Sequence, residues 1–432
     1  MNLTPRSILF LALIGMLGIV GAWADTGFLA AAWKFPGTVL ALGLIVEWMV
    51  ANRTWPTVSL VGEPTMKLGV ADTLRLSFRN STPRLLRVSF VPALPEGVRG
   101  RTETRHIEIP GRGELTVELR ARGVELGEHP WARIPMQVSG PFRLANWSYR
   151  CPLDTDLEVK PDTLSGKRRR AVSSSLGALH QARTGAGIDL HHLRPYRKGD
   201  PRSTVDWKAT ARVGELITRI FSEDQHLEII IALDAGRTSR LEFDGMSQLS
   251  HYINLAARFA EYAARAEDQA GLLVFSDRVH RMVKPQRGAP GVRRFRSSLA
   301  SLDASSVESN FIEAALRIRY MTSKRSLIVI LTDLYDRAAK SQLARCVGML
   351  MPRHLPVIVG IKSADVTDVV GALAENWFDP FRAIAAKEYQ NDMESNVARL
   401  RRMGAHALIA RPGELDGSVF SLYESLRSRH RV

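Results

Sequence analysis

The chain opens with two apolar runs and then changes rhythm twice. Ile8 to Ala24 carries no charge, and from Phe35 to Met49 the only charge is Glu47. Each run approaches the length needed to cross about 30 Å of hydrocarbon. The short, Gly-containing segment Asp25 to Lys34 lies between them. The pattern therefore predicts a transmembrane helical hairpin within residues 1–53, with spans at about 8–24 and 35–51. Trp23, Trp33, Trp48 and Trp55 flank the runs, where amphipathic rings settle at a membrane interface. Arg6 and Arg53 lie outside the spans, with Lys34 the only base in the turn, and this weak bias favours both ends in the cytoplasm. Ala22-Trp23-Ala24 also fits a signal-peptidase site; the second run would then stop transfer and leave the remaining chain on the same side. Glu47 reads either as a functional carboxylate inside the membrane or, the favoured reading, as a side chain near the interface that snorkels towards water.

From residue 54 to 160 the apolar positions recur with period two. Thr73-Leu74-Arg75-Leu76-Ser77-Phe78-Arg79 alternates, as does Glu114-Leu115-Thr116-Val117-Glu118-Leu119. Turn clusters such as Asn80-Ser81-Thr82-Pro83 separate the runs. This predicts a small antiparallel β-sandwich. After residue 225 the pattern becomes α/β. Leu227 to Leu233 is a continuous apolar strand ending at Asp234. An apolar stripe at helical spacing follows from Leu249 to Ala263, and Leu327 to Leu331 is a second buried strand before Asp333. Continuous apolar strands alternating with helices predict a doubly wound parallel sheet over 225–432, whose ligand crevice lies at the carboxyl ends of its strands.

Charge adds a fourth region. The chain carries 59 Lys and Arg against 44 Asp and Glu, a net charge of +15. More than half of that excess falls between Lys167 and Arg219, where twelve bases meet four acids. Residues 161–224 thus form a basic segment suited to an anionic neighbour such as nucleic acid or lipid. The 45% hydrophobic content is ordinary for globular domains, and two cysteines exclude a disulfide scaffold or a Cys-rich metal site. No phosphate-binding loop, H-E-x-x-H or G-x-S-x-G occurs.

The same region holds the densest polar constellation. Thr184-Gly185-Ala186-Gly187-Ile188-Asp189 leads into Arg194-Pro195-Tyr196-Arg197-Lys198-Gly199-Asp200-Pro201-Arg202, then Val205-Asp206-Trp207 and Ala211-Arg212-Val213-Gly214. This ordered set resembles the bacterial domain-of-unknown-function 58 family. That family's signature precedes a von Willebrand factor A-like domain and follows a membrane hairpin and a sandwich. The resemblance implies an inner-membrane protein with cytoplasmic domains, partnered by MoxR-type AAA+ ATPases and other A-domain proteins, and supplies no known reaction. Physically, Arg194, Arg202 and Arg212 can pair bidentately with Asp189, Asp200 or Asp206. Tyr196 and Trp207 bring large apolar bodies, and Gly199-Asp200 reads as a turn. The cluster either fixes an irregular segment onto the fold, the favoured reading, or forms an arginine-lined recognition surface.

A-like domains commonly bind a divalent cation through D-x-S-x-S, a loop Thr and a later Asp. Here the first element reads Asp234-Ala235-Gly236-Arg237-Thr238. The resemblance thus implies a degenerate site of Asp234, Thr238, Asp333 and, for the loop Thr, Asn310 in the pair Ser309-Asn310. Such hard oxygen donors suit Mg²⁺. The competing expectation is a vestigial site in which Asp234 caps a helix and Arg237 pairs with Asp333. With no complete catalytic set, the sequence reads as a non-enzymatic interaction or assembly factor. The alternatives are a metal-dependent hydrolase using Asp234 and Asp333, or a nucleic-acid or anionic-lipid binder acting through the basic segment.

Overall fold

Pro5 begins the first helix, where its fixed φ and missing N–H are tolerated. From there α1 (Pro5–Trp23) and α2 (Lys34–Arg53) carry scarcely any polar side chain to interrupt them. The computed structural model describes residues 2–23, 31–53, 55–163, 184–222, 226–335, 340–351, 353–363, 366, 368–369 and 376–428. Both helices are long and apolar enough to cross a membrane. Their large side chains face outward, Leu9 at 69% and Phe35 at 77% exposed, an apolar surface that water does not favour.

The chain divides into two compact units, Met1–Lys160 and Pro161–Val432. The first continues from the helices into two sheets. One has the order β1-β10-β9-β5-β7, with β3 also paired to β10; the other runs β2-β4-β8-β6. The strands are β1 (Asn2–Leu3), β2 (Thr57–Val61), β3 (Thr65–Lys67), β4 (Ala71–Arg79), β5 (Leu86–Phe90), β6 (Val98–Gly100), β7 (Arg105–Ile109), β8 (Glu114–Gly123), β9 (Gly127–Ser139) and β10 (Ala145–Lys160). All pairings are antiparallel except β3 with β10. The period-two pattern explains the packing. Leu74, Leu76 and Phe78 are buried, while Arg75 points outward to Glu118 across the ladder at 3.2 Å. The Phe78 ring meets Phe90 of the other sheet at 4.7 Å between centroids, which brings the two inner faces together.

Glu47 departs from the expectation of a snorkelling carboxylate. It is fully buried, and it accepts backbone hydrogen bonds from Phe142 (2.8 Å), Leu144 (3.1 Å) and Ala145 (2.9 Å) in the β9–β10 turn. Thr4 Oγ1 donates to the Arg143 carbonyl at 2.6 Å from the start of α1. A carboxylate can be buried so near an apolar helix only because three donors replace its lost hydration. Gly140 is required beside it, since a Cβ there would overlap the Glu47 carboxyl group.

The second unit begins with a hairpin absent from the sequence expectations, β11 (Thr184–Pro195) against β12 (Ile217–Ser222), enclosing the short helix α3 (Trp207–Val213). Its main sheet has the order β17-β16-β13-β18-β19-β20. In chain order these are β13 (Glu228–Asp234), the two-residue pair β14 (Glu242–Phe243) and β15 (Met246–Ser247), β16 (Gln269–Phe275), β17 (Val279–Gln286), β18 (Leu327–Leu331), β19 (Leu355–Ile361) and β20 (His406–Ala410). Neighbours in the main sheet run parallel except β17, which is antiparallel to β16. The expected all-parallel sheet is corrected at this edge. With polar side chains alternating along it and Pro285 near its end, β17 has the composition of an edge strand.

Helices α4 (Gln248–Arg265), α5 (Gly288–Leu299), α6 (Phe311–Met321), α7 (Lys340–Leu350), α8 (Asp379–Arg402) and α9 (Leu415–Ser428) alternate with these strands. Alternate strand residues Ile230, Ala232, Ile328, Ile330 and Ile358 share one core with α6, α7 and α8. Phe259 and Tyr262 of α4 stack on Phe420 of α9. Arg258 binds Asp162 at 2.7 Å and also Asp416, tying the first residues of this unit to α4 and α9.

Candidate functional site

Two constellations in the second unit merit consideration. The first lies where β13 and β18 end. Asp234 closes β13, 1% exposed, and its Oδ1 accepts from the Gly236 amide at 2.9 Å and from the Ser309 hydroxyl. Its Oδ2 accepts from Thr332 Oγ1 at 2.6 Å, just beyond β18. The loop before α6 is stitched alongside: Arg237 N donates to Val307 O at 2.8 Å, and Ser305 N to Ala235 O at 2.7 Å. Behind Thr332, Tyr252 donates to its carbonyl at 2.8 Å, and Gln248 donates in turn to the Tyr252 hydroxyl at 2.8 Å. Burial pushes the Tyr252 phenol far above its ordinary range, and the charges of Asp333 and Asp234 push the same way. It therefore stays a neutral donor.

Asp333 lies two residues past β18, 6% exposed, and accepts from the Tyr335 amide at 3.0 Å. Thr238 sits on a short 3₁₀ turn, and its hydroxyl has no hydrogen-bond partner among the described residues. Asn310 accepts from Glu313 N at 3.1 Å as the N-cap of α6. The side chain reaching Asp234 from that loop is Ser309, one position earlier. Arg237 lies 3.8 Å from Glu308 in an exposed pair.

Whether a divalent cation fits turns on Asp234 and Gly236. Each Asp234 oxygen already accepts from a side-chain hydroxyl, and one also from an amide. A Cβ at Gly236 would overlap Ser309 Oγ, so no side chain can supply the family's first hydroxyl there. Among the described residues no three His, Cys, Asp or Glu side chains group to hold a metal. The residues present do not fit the five-part cation site. Asp234 is instead the acceptor hub of a hydrogen-bond network.

The second constellation is the polar motif, which the structure divides in two. In the first half Arg194 grips Asp200 with both guanidinium nitrogens, at 2.8 and 2.9 Å. The Asp200 carboxylate also accepts from Arg197 N at 2.9 Å, and Tyr196 donates to the Asp200 carbonyl at 3.1 Å. The Arg194 hydrogen bond, followed by that from the Arg197 amide, holds the Asp200 carboxyl below its ordinary range. Gly199 supplies the turn with φ of +114°. This half fixes the backbone of its own turn. Gly187 and Asp189 belong to β11, but the Asp189 side chain lies outside the described residues.

The second half is built differently. Asp206 caps α3, accepting from Ala209 N at 2.9 Å, and Gly214 ends the helix with φ of +80°. The helix thus closes on its own caps, leaving Trp207 69% exposed and Val213 62% exposed. Arg202, Lys208 and Arg212 are exposed as well, and among the described residues neither Arg202 nor Arg212 has an acidic partner. Two exposed apolar side chains thus share a short segment with three exposed bases.

Residues 192–387 match the model of a family described as a protein of unknown function, DUF58. The match begins inside the motif, after Gly187 and Asp189, and runs through most of the main sheet. No curated protein matches the chain. Among solved structures, the conserved hypothetical protein BatB from Bacteroides thetaiotaomicron aligns at 13% identity and TM-score 0.31, covering 47% of this chain and 99% of its own. An aerotolerance-related membrane protein from Bacteroides fragilis aligns at 18% and 0.26, covering 31% and 67%. Proximal thread matrix protein 1 from the mussel byssus aligns at 11% and 0.28, covering 44% and 45%.

Proposed function

We propose that this chain is a membrane-anchored accessory protein that works by docking a partner, without making or breaking covalent bonds. In this reading α1 and α2 span the bacterial inner membrane and both units lie in the cytoplasm. The second unit is a doubly wound, von Willebrand A-like domain, a reading supported by the strand order β17-β16-β13-β18-β19-β20 with one antiparallel edge. The resemblance of the motif makes a MoxR-type AAA+ ATPase the partner to test first.

The observation that carries the proposal is the exposure of Trp207. A tryptophan held outward on a capped helix buries little of its ring in the fold, and tryptophan is among the side chains that most often anchor an interface. Asp234 has a supporting role: its network sets the loops beside it and engages both of its own carboxylate oxygens.

The test is crosslinked capture of the ATPase from membranes, comparing wild type with Trp207→Ala. An interface tryptophan contributes about 2 kcal/mol or more, so capture should fall on the order of thirtyfold. Trp207→Phe should retain part of it. Capture unchanged in Trp207→Ala would remove this surface from the interface.

A further inference from the structure

A cavity of about 330 Å³ lies between the end of α2 and the first sheet of the sandwich. Val50 and Ala51 of α2 form one wall; Arg84, Leu85 and Arg87 form another, and Pro141 closes it. We propose that this cavity holds the headgroup of an anionic phospholipid, with the phosphate against Arg84. The inference rests on the reading of α1 and α2 as membrane spans.

Position comes first. A 20-residue helix is about 30 Å long, the thickness of the hydrocarbon core. Val50 and Ala51, near the end of α2, therefore sit at the level of lipid headgroups. Outward-facing Val39, Leu42 and Val46 lead to Val50 at helical spacing, 55%, 61% and 39% exposed, and give an acyl chain a continuous apolar path.

Charge decides the headgroup. Arg87 is paired with Glu108 at 2.7 Å, so its charge is largely spent. Arg84 is exposed and has no acidic partner among the described residues. Its backbone, in contrast, is pinned. The buried Asn80 side chain donates to the Arg84 carbonyl at 2.7 Å and to Pro110 O at 3.0 Å, and accepts from Thr82 N at 2.9 Å. A fixed loop thus presents a free guanidinium, which matches phosphate geometry bidentately, beside half-exposed Leu85. A cavity of this volume lies at the small end of ligand pockets and suits a headgroup with its chains outside.

The full-length protein is extracted in mild detergent with equal phosphatidylglycerol and phosphatidylcholine, and retained lipid is counted by native mass spectrometry. The wild type should favour phosphatidylglycerol about fivefold, the contribution of one basic side chain near a lipid surface. Arg84→Gln should bring the ratio to about one, while Arg101→Gln, an exposed arginine away from the cavity, should leave it unchanged. Equal retention of both lipids by the wild type, or an undiminished preference in Arg84→Gln, overturns the site. Equal retention by a wild-type chain that resists alkaline carbonate extraction overturns this inference alone. Release of the wild type by carbonate overturns the anchor reading together with it.

Discussion

His354 shows how far one side chain can set the behaviour of its surroundings. It follows α7 and precedes β19, 2% exposed, and neither ring nitrogen has a hydrogen-bond partner among the described residues. Burial holds its pKa below the ordinary histidine value, with the charges of Arg353 and Arg319 acting in the same direction and Glu228 weakly against them. The unfolded chain therefore takes up a proton as pH falls through about 6.5, while the folded chain resists it. Stability from this residue is present above that pH and is lost below it, at up to about 1.4 kcal/mol per pH unit. The thermal midpoint of His354→Leu should fall less between pH 7.5 and 5.5 than that of wild type; equal falls would show that the ring does not control acid stability. The same scale marks where sequence reading stops. Asp234 and Asp333 were legible as strand-end carboxylates because continuous apolar runs lead into them. Their neighbours were not: either Ser309 or Asn310 could turn inward, and only the folded loop shows that Asn310 caps α6 while Ser309 reaches Asp234.

Elements with a buried face were readable in the pattern, and those without one were not. The stripe from Leu249 to Ala263 became α4 because those positions all face the core. Helix α8 starts at Asp379. Its first turns expose Phe381 and Ile384, at 61% and 60%, so no one-sided stripe announces them. The β11–β12 hairpin lacks such a pattern too, since Gly185, Gly187, Asp189, His191 and His192 interrupt the apolar positions of β11. Glu47 joins two elements whose connection no local pattern encodes. Glu47→Ala would strand three backbone donors of the β9–β10 turn, each worth about 1–3 kcal/mol when buried without an acceptor. The variant should unfold several degrees lower and be cut faster by protease between residues 140 and 145. A wild-type digestion pattern would mean that the turn holds its shape without the carboxylate.

At the scale of the whole molecule, the docking proposal depends on both units lying on the cytoplasmic side of the membrane, and the chain's own chemistry provides a clean test of it. Cys151 is 3% exposed and its thiol is raised by burial; Cys346 is fully buried, and burial pushes its thiol up to about 12. At neutral pH the fraction of Cys346 present as thiolate is on the order of one in 10⁵, and thiolate is the species that alkylates. The wild-type chain is therefore silent to maleimide, and single reporters can be added without removing either native cysteine. Ser81→Cys places one at an exposed turn of the first unit, and Ser297→Cys places one on the exposed side of α5 in the second. With both ends of the α1–α2 hairpin in the cytoplasm, a membrane-impermeant maleimide should label neither reporter in intact spheroplasts and both after permeabilisation. Labelling of either reporter in intact cells would put that unit outside, away from any cytoplasmic ATPase, and the docking proposal would fail with the orientation.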